Sequence, residues 1–229
     1  MNEVHKSAED VEGQMRNLRK QGLSLKEIAK ATGHSRSRVQ KVVKDVPMAI
    51  GLYRRELRAA LVEGAIINLE TTGLDFDTDD IIAFGFLERN IMTVILRIEA
   101  EPAEFYHTVS EKLSGLAHPI YAWDTHFHES FLLTKLHTPV DLVDIFEPWR
   151  EKARAKGLSY PTLDKLVSVP REYLGEEMVS EQRVRSLWKN YVRYRDKRSI
   201  IPIVRHCMED LRQALYLLTF IESTAEAGL

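Results

Sequence analysis

From Val11 to Val46, apolar residues recur at helical spacing in three short runs separated by polar turns. Met15, Leu18 and Leu23 form the first apolar face, Leu25, Ile28 and Ala29 the second, and Val39, Val42 and Val43 the third. Ser24 and Glu27 have capping-box spacing, which starts the second helix at Leu25. Gly33 permits a left-handed turn, and Ser35 can cap the third helix. Pro47 and Gly51 punctuate the exit, and Leu52 to Val62 has the period of an amphipathic connecting helix that Gly64 ends.

At Ala65 the period changes. Ala65–Glu70, Ile81–Leu87 and Ile91–Ile98 are short, apolar and β-branched, with Glu88-Arg89-Asn90 as a hairpin turn between the last two. Pro102–Leu116 returns to helical period, His118–Trp123 is a fourth strand, and a helix runs through Phe131, Leu132 and Leu136. Val140–Phe146 is a fifth strand or the start of a helix, and a long amphipathic helix spans about Ile203 to Glu222. This order predicts an α/β fold with a mixed sheet flanked by helices, preceded by a small all-α module. The expected division is 1–46 for the module, 47–64 for a linker helix and 65–229 for the α/β domain.

Charge divides along the same line. Residues 1–60 hold 13 Lys and Arg against 7 Asp and Glu, a net of +6, whereas the remainder carries −8 of the overall −2. A polyanion is therefore expected to meet the N-terminal module first. No apolar run reaches a membrane span and the charged start lacks a signal peptide's apolar stretch. The single cysteine, Cys207, makes no internal disulfide, so a reducing, cytoplasmic setting is expected.

The third predicted helix turns Arg36, Ser37, Arg38, Gln40, Lys41 and Lys44 outward, types suited to phosphates and purine edges. Its short capped helices and glycine turn resemble the helix-turn-helix of resolvase-like and regulator-like DNA-binding modules, which implies DNA or RNA as partner. In the α/β part, Asn68 and Glu70 occupy alternate strand positions and so aim at one site. His206 and Asp210 open the last apolar helix, and His128 precedes Phe131-Leu132. His118, His126 and His128 have the spacing of no closed zinc site. Asp75, Asp77, Asp79 and Asp80 lack the glycine and terminal glutamate of a calcium loop. Trp188, Tyr191 and Tyr194 lie at helical spacing, as core packing or as a base-stacking surface.

The string Asn68-Leu69-Glu70-Thr71-Thr72-Gly73-Leu74 resembles the first motif of the DEDD family of 3′–5′ exonucleases, which have a ribonuclease-H-like fold. Tyr121 to Leu132 resembles the second motif, with His128 where the family has a metal aspartate. His206-Cys207-Met208-Glu209-Asp210 resembles the third, at the spacing of the family's tyrosine form. Val140–Asp144, Leu163–Leu166, Pro170 and Trp188–Tyr194 are similar to the predicted-exonuclease group, so the resemblance covers about residues 65–222. It implies catalysis by Glu70, His206 and Asp210, with Asn68, Glu70, His128 and Asp210 around Mg²⁺ or Mn²⁺. The neutral Asn68 and the imidazole of His128 weaken a magnesium site. Two readings follow: a metal-dependent 3′–5′ exonuclease with a divergent site, or an inactive nuclease-like domain acting as a DNA- or RNA-binding regulatory protein.

Overall fold

Backbone pairing turns the alternating runs into a single six-stranded sheet with the order β1-β4-β3-β2-β5-β6. The computed structural model describes residues 8–46, 48, 50–57, 62–98, 102–155, 157 and 180–226. Its strands are β1 (Ile50–Glu56), β2 (Val62–Thr71), β3 (Ile81–Arg89), β4 (Ile91–Arg97), β5 (Ile120–Ala122) and β6 (Leu142–Asp144). The first four pair antiparallel, and β2–β5 and β5–β6 pair parallel. Helices α4 (Ala103–Ser114) and α5 (Thr125–Leu136) cover one face. The other face carries α7 (Glu181–Tyr194) and the long α8 (Ile200–Glu226), with α6 (Arg150–Ala155) after the last strand. The expected α/β class and mixed sheet are thus present. Leu163–Leu166 and Pro170 lie outside the described residues.

Three helices precede the sheet: α1 (Ala8–Lys20), α2 (Leu25–Thr32) and α3 (Arg36–Val43). Met15, Ile28, Val39 and Val43 form their buried core. The capping box is complete, with Ser24 Oγ accepting from Glu27 N–H and Glu27 Oε2 accepting from Ser24 N–H at 2.8 Å. Gly33 adopts a φ of 70°, and the Ser35 hydroxyl accepts from Arg38 N–H at the start of α3.

The connecting helix expected over Leu52–Val62 is corrected. Residues 50–56 form an edge strand paired with β4 from Ile50↔Arg97 to Glu56↔Ile91, and residues 58–61 lie outside the described residues. Ile50 and Leu52 pack towards the α4–α5 face while Tyr53 packs towards the α8 face, a strand's alternation rather than a helix's stripe. The open hydrogen-bonding edge of β4 decides between two periods that the segment carries in common. Gly64, expected to end that helix, lies inside β2 beside a register shift with a φ of 88°. There a Cβ would come within 2.0 Å of the Pro119 carbonyl oxygen.

Along β2, Ala65, Ile67 and Leu69 face the α4–α5 core, whereas Ile66 faces α8. Asn68 and Glu70 share Ile66's face by strand alternation, so both lie under α8. Gly85 of β3 pairs with Asn68, and a Cβ there would stand 2.5 Å from Cys207 Sγ and 3.1 Å from Leu211 Cδ1. The missing side chain therefore lets α8 settle against the sheet at this point. It also lowers His206 and Asp210, one turn apart around Cys207, onto the end of β2.

Candidate functional site

Asn68, Glu70, His206 and Asp210 meet in one hydrogen-bonded group. His206 Nδ1 lies 2.9 Å from Glu70 Oε1 and 3.1 Å from Asp210 Oδ2. Asn68 Nδ2 donates to Glu70 Oε1 at 3.2 Å and to Asp210 Oδ2 at 3.3 Å, with Cys207 Sγ a further acceptor at 3.7 Å. Because its neighbours are acceptors, the amide must present its nitrogen. Glu70 and His206 are 5% and 7% exposed, whereas the Asp210 side chain keeps 30% and opens the group towards solvent.

Burial raises the Glu70 carboxyl to about 7, and the hydrogen bond from His206 holds it from rising further. Burial opposes charge on His206, but its bonds to Asp210 and Glu70 outweigh that cost and lift its pKa to about 11. The two shifts describe one shared charge system, in which the imidazolium is favoured between its two carboxyl partners. Burial also pushes the Cys207 thiol upward, which keeps it protonated and unreactive.

His128 lies outside this group. Its Nδ1 is 3.0 Å from the Asp124 carbonyl, its ring meets Phe127 edge-on at 5.4 Å, and its Nε2 is buried without a partner among the described residues. Burial lowers its pKa and so favours the neutral ring. Asp124 is itself occupied as the cap of α5, accepting from Phe127 N–H.

The Thr-Thr-Gly turn has a local structural role. Thr72 Oγ1 donates to Asp79 Oδ1 and accepts from Asp80 N–H, each at 2.9 Å. A Cβ on Gly73 would fall 2.0 Å from Asp79 Oδ2, so glycine is what admits that carboxylate. Asp80 receives Arg97 at 3.2 Å and the Tyr106 hydroxyl at 3.1 Å. The aspartate-rich loop thus holds the turn after β2. Trp188 and Tyr191 are core residues, Trp188 lying under the Arg97 guanidinium at 4.9 Å, whereas Tyr194 is exposed. On the module, Arg36, Arg38, Gln40, Lys41 and Lys44 all reach solvent from α3 and its C-cap.

Sequence reasoning missed the packing of Cys207 on Gly85, although a glycine inside the apolar run Ile81–Leu87 is a signal for close backbone approach.

A mixed sheet thus carries an acid on its central strand, and the closing helix brings a second carboxylate to the same imidazole. The chain belongs to the ribonuclease H superfamily, whose family model matches residues 65–221. None of the curated proteins compared with it matches the chain. Membership supports a nuclease-like or nucleic-acid-related function. Among the described residues, no helix is long and apolar enough to cross a membrane.

Nucleases of this fold typically use divalent metal ions, and the donor set can be tested for them. Two-metal hydrolysis needs carboxylates holding cations about 4 Å apart. Here Asn68 and His206 direct N–H donors onto Glu70 and Asp210, and donors repel a cation. The residues do not fit a pair of magnesium ions. One softer ion fits better: potential ligand atoms of Glu70, His206 and Asp210 lie within 4.8 Å of one another, once His206 Nδ1 has lost its proton.

Proposed function

We propose that this chain is a nucleic-acid-binding protein. Its N-terminal helix-turn-helix and its ribonuclease-H-like domain both meet DNA or RNA, and the former metal centre is neutralised by the chain itself. One observation carries the reading: His206 Nδ1 stands 2.9 Å and 3.1 Å from the two carboxylates that would otherwise hold metal. An internal imidazolium, backed by the Asn68 amide, supplies the positive charge there. The exposed Arg36, Arg38, Gln40, Lys41 and Lys44 give the module its basic surface.

A second reading, a metal-dependent 3′–5′ exonuclease, is favoured by the closeness of the Glu70, His206 and Asp210 ligand atoms. A single Mn²⁺ at these residues would polarise a phosphoryl oxygen, with Asp210 as its solvent-facing ligand.

The test uses the full chain with 5′-labelled single-stranded DNA, RNA and duplex, in Mg²⁺, in Mn²⁺ and in EDTA. The binding reading expects salt-sensitive complexes that survive EDTA, and labelled strands of unchanged length. Stepwise 3′ shortening that disappears in Asp210→Ala would overturn it in favour of the exonuclease.

A further inference from the structure

The acidic balance of residues beyond 60 conceals a second basic surface. Residues 181–198 contain seven Lys and Arg against two acids, in a chain whose overall charge is −2. On α7, Arg185, Lys189 and Arg193 follow one another at four-residue intervals, about 6 Å apart along the axis at 1.5 Å per residue. Like charges at this spacing repel, so the row weakens its own helix. Arg185 is relieved by Glu181 at 3.6 Å, itself exposed. Among the described residues, neither Lys189 nor Arg193 has a carboxylate partner.

The row borders a groove of about 250 Å³ lined by Thr72, Arg185, Trp188, Lys189, Val192 and Arg193. Its wall is apolar, from the buried Trp188 and from Val192, which is 40% exposed. Its inner end is Thr72, two residues beyond Glu70 on the turn that Asp79 and Asp80 hold in place. The groove is too small for a duplex. It offers regularly spaced cations along one side and apolar surface beneath, the combination that follows a single strand's backbone.

We infer that α7 and the Thr72 turn form a binding groove for single-stranded nucleic acid, leading to the Glu70–His206–Asp210 group. This inference rests on the nucleic-acid-binding reading and assigns the single strand to a surface distinct from α3. Lys189 and Arg193 contact successive phosphates, and Val192 lies under the sugar and base side of the strand.

The experiment is fluorescence anisotropy of a labelled 12-nucleotide single strand and of a labelled duplex with the full chain in EDTA, between 50 and 200 mM salt, values within the usual range for such titrations. Three double variants are compared with wild type: Lys189→Glu/Arg193→Glu, Arg38→Glu/Lys41→Glu on the module, and Lys112→Glu/Arg154→Glu as a matched change of net charge. The groove variant should lose about tenfold or more in single-strand affinity. Its log–log salt slope should shrink by about 1.4, from two lost contacts at roughly 0.7 each. The module variant should lose duplex binding instead. Lys189 of the wild type should become protected from acylation when the single strand is present, a readout independent of any variant's folding.

Unchanged single-strand affinity in the groove variant, an equal loss in the charge-matched variant, or no protection of Lys189 overturns the groove while leaving the nucleic-acid reading intact. Displacement by poly-glutamate as effective as by the oligonucleotide overturns it in favour of an acidic polypeptide. Wild-type protein that binds neither strand nor duplex overturns both.

Discussion

Replacing His206 by leucine removes a charge and a donor but keeps bulk and helix propensity on α8. Glu70, 5% exposed, then loses its cationic partner at 2.9 Å, and Asp210 loses the one at 3.1 Å. Breaking a buried pair from one side costs about 3–5 kcal/mol, a large part of the roughly 5–15 kcal/mol that stabilises a typical domain. The cost depends on pH through both partners. Glu70, raised to about 7 against an ordinary 4.5, and His206, raised to about 11, each stabilise fully below their unfolded pKa, and that stability is lost as pH rises through the folded one. Urea unfolding should therefore show most of the roughly 3–5 kcal/mol loss at pH 6 and a markedly smaller one at pH 10. In a Glu70→Gln background the leucine substitution should cost about 1–2 kcal/mol at pH 6, and the difference is the coupling energy of the pair. Equal costs at pH 6 and pH 10, or a Glu70→Gln background that changes nothing, would refute an internal cation at this centre.

The wild-type centre also sets a pH dependence: Glu70 is raised to about 7 and His206 to about 11, so their contribution is complete at low pH and lost as pH climbs through those values. Urea midpoints falling from pH 6 to pH 10, with a smaller fall in His206→Leu, would bear this out. Gly85→Ala places a Cβ 2.5 Å from Cys207 Sγ and should cost about 1–3 kcal/mol, most of it recovered by adding Cys207→Ala, as chemical unfolding of the single and double variants will show. Asn68→Asp exchanges two donated hydrogen bonds for a third carboxylate and should cost about 2 kcal/mol in EDTA. Mn²⁺ at about 100 times its dissociation constant should then return about 2.7 kcal/mol, read as a rise in melting temperature absent from the wild type. Ser24→Ala should lower the stability of the N-terminal helices by about 1 kcal/mol, measured by amide exchange in α2.

The elements with strong local signals were legible in the sequence. Ser24, Glu27 and Gly33 bound α2, and β2, β3 and β4 declare themselves by length and β-branching. Asn68 and Glu70 could be paired because strand alternation is a local fact, whereas His206 and Asp210 joined them through the motif resemblance. What lay beyond reach were relations between distant segments. Leu52–Glu56 satisfies a helical stripe and a strand alternation equally, and only the edge of β4 selects one. The motif match put His128 among the ligands, whereas the Glu70–His206–Asp210 group forms without it. The row Arg185–Lys189–Arg193 was hidden by averaging charge over the whole acidic half of the chain.

The edge strand gives the N-terminal helices more than a tether. α3 ends at Val43 and β1 begins at Ile50, so few residues separate the basic helix from the rim of the sheet. Gly22 abuts Ile50 so closely that a Cβ would lie 2.8 Å from its carbonyl oxygen, and Glu27 lies 3.6 Å from Arg54 on β1. Under the proposed nucleic-acid-binding reading, a polymer held at α3 would be presented to the rest of the molecule at a built-in offset, as on a jig whose two clamps share one frame. Lengthening the 44–49 segment with glycine and serine would leave both clamps whole but remove their common scale, and the footprint on a long strand would lose its fixed length.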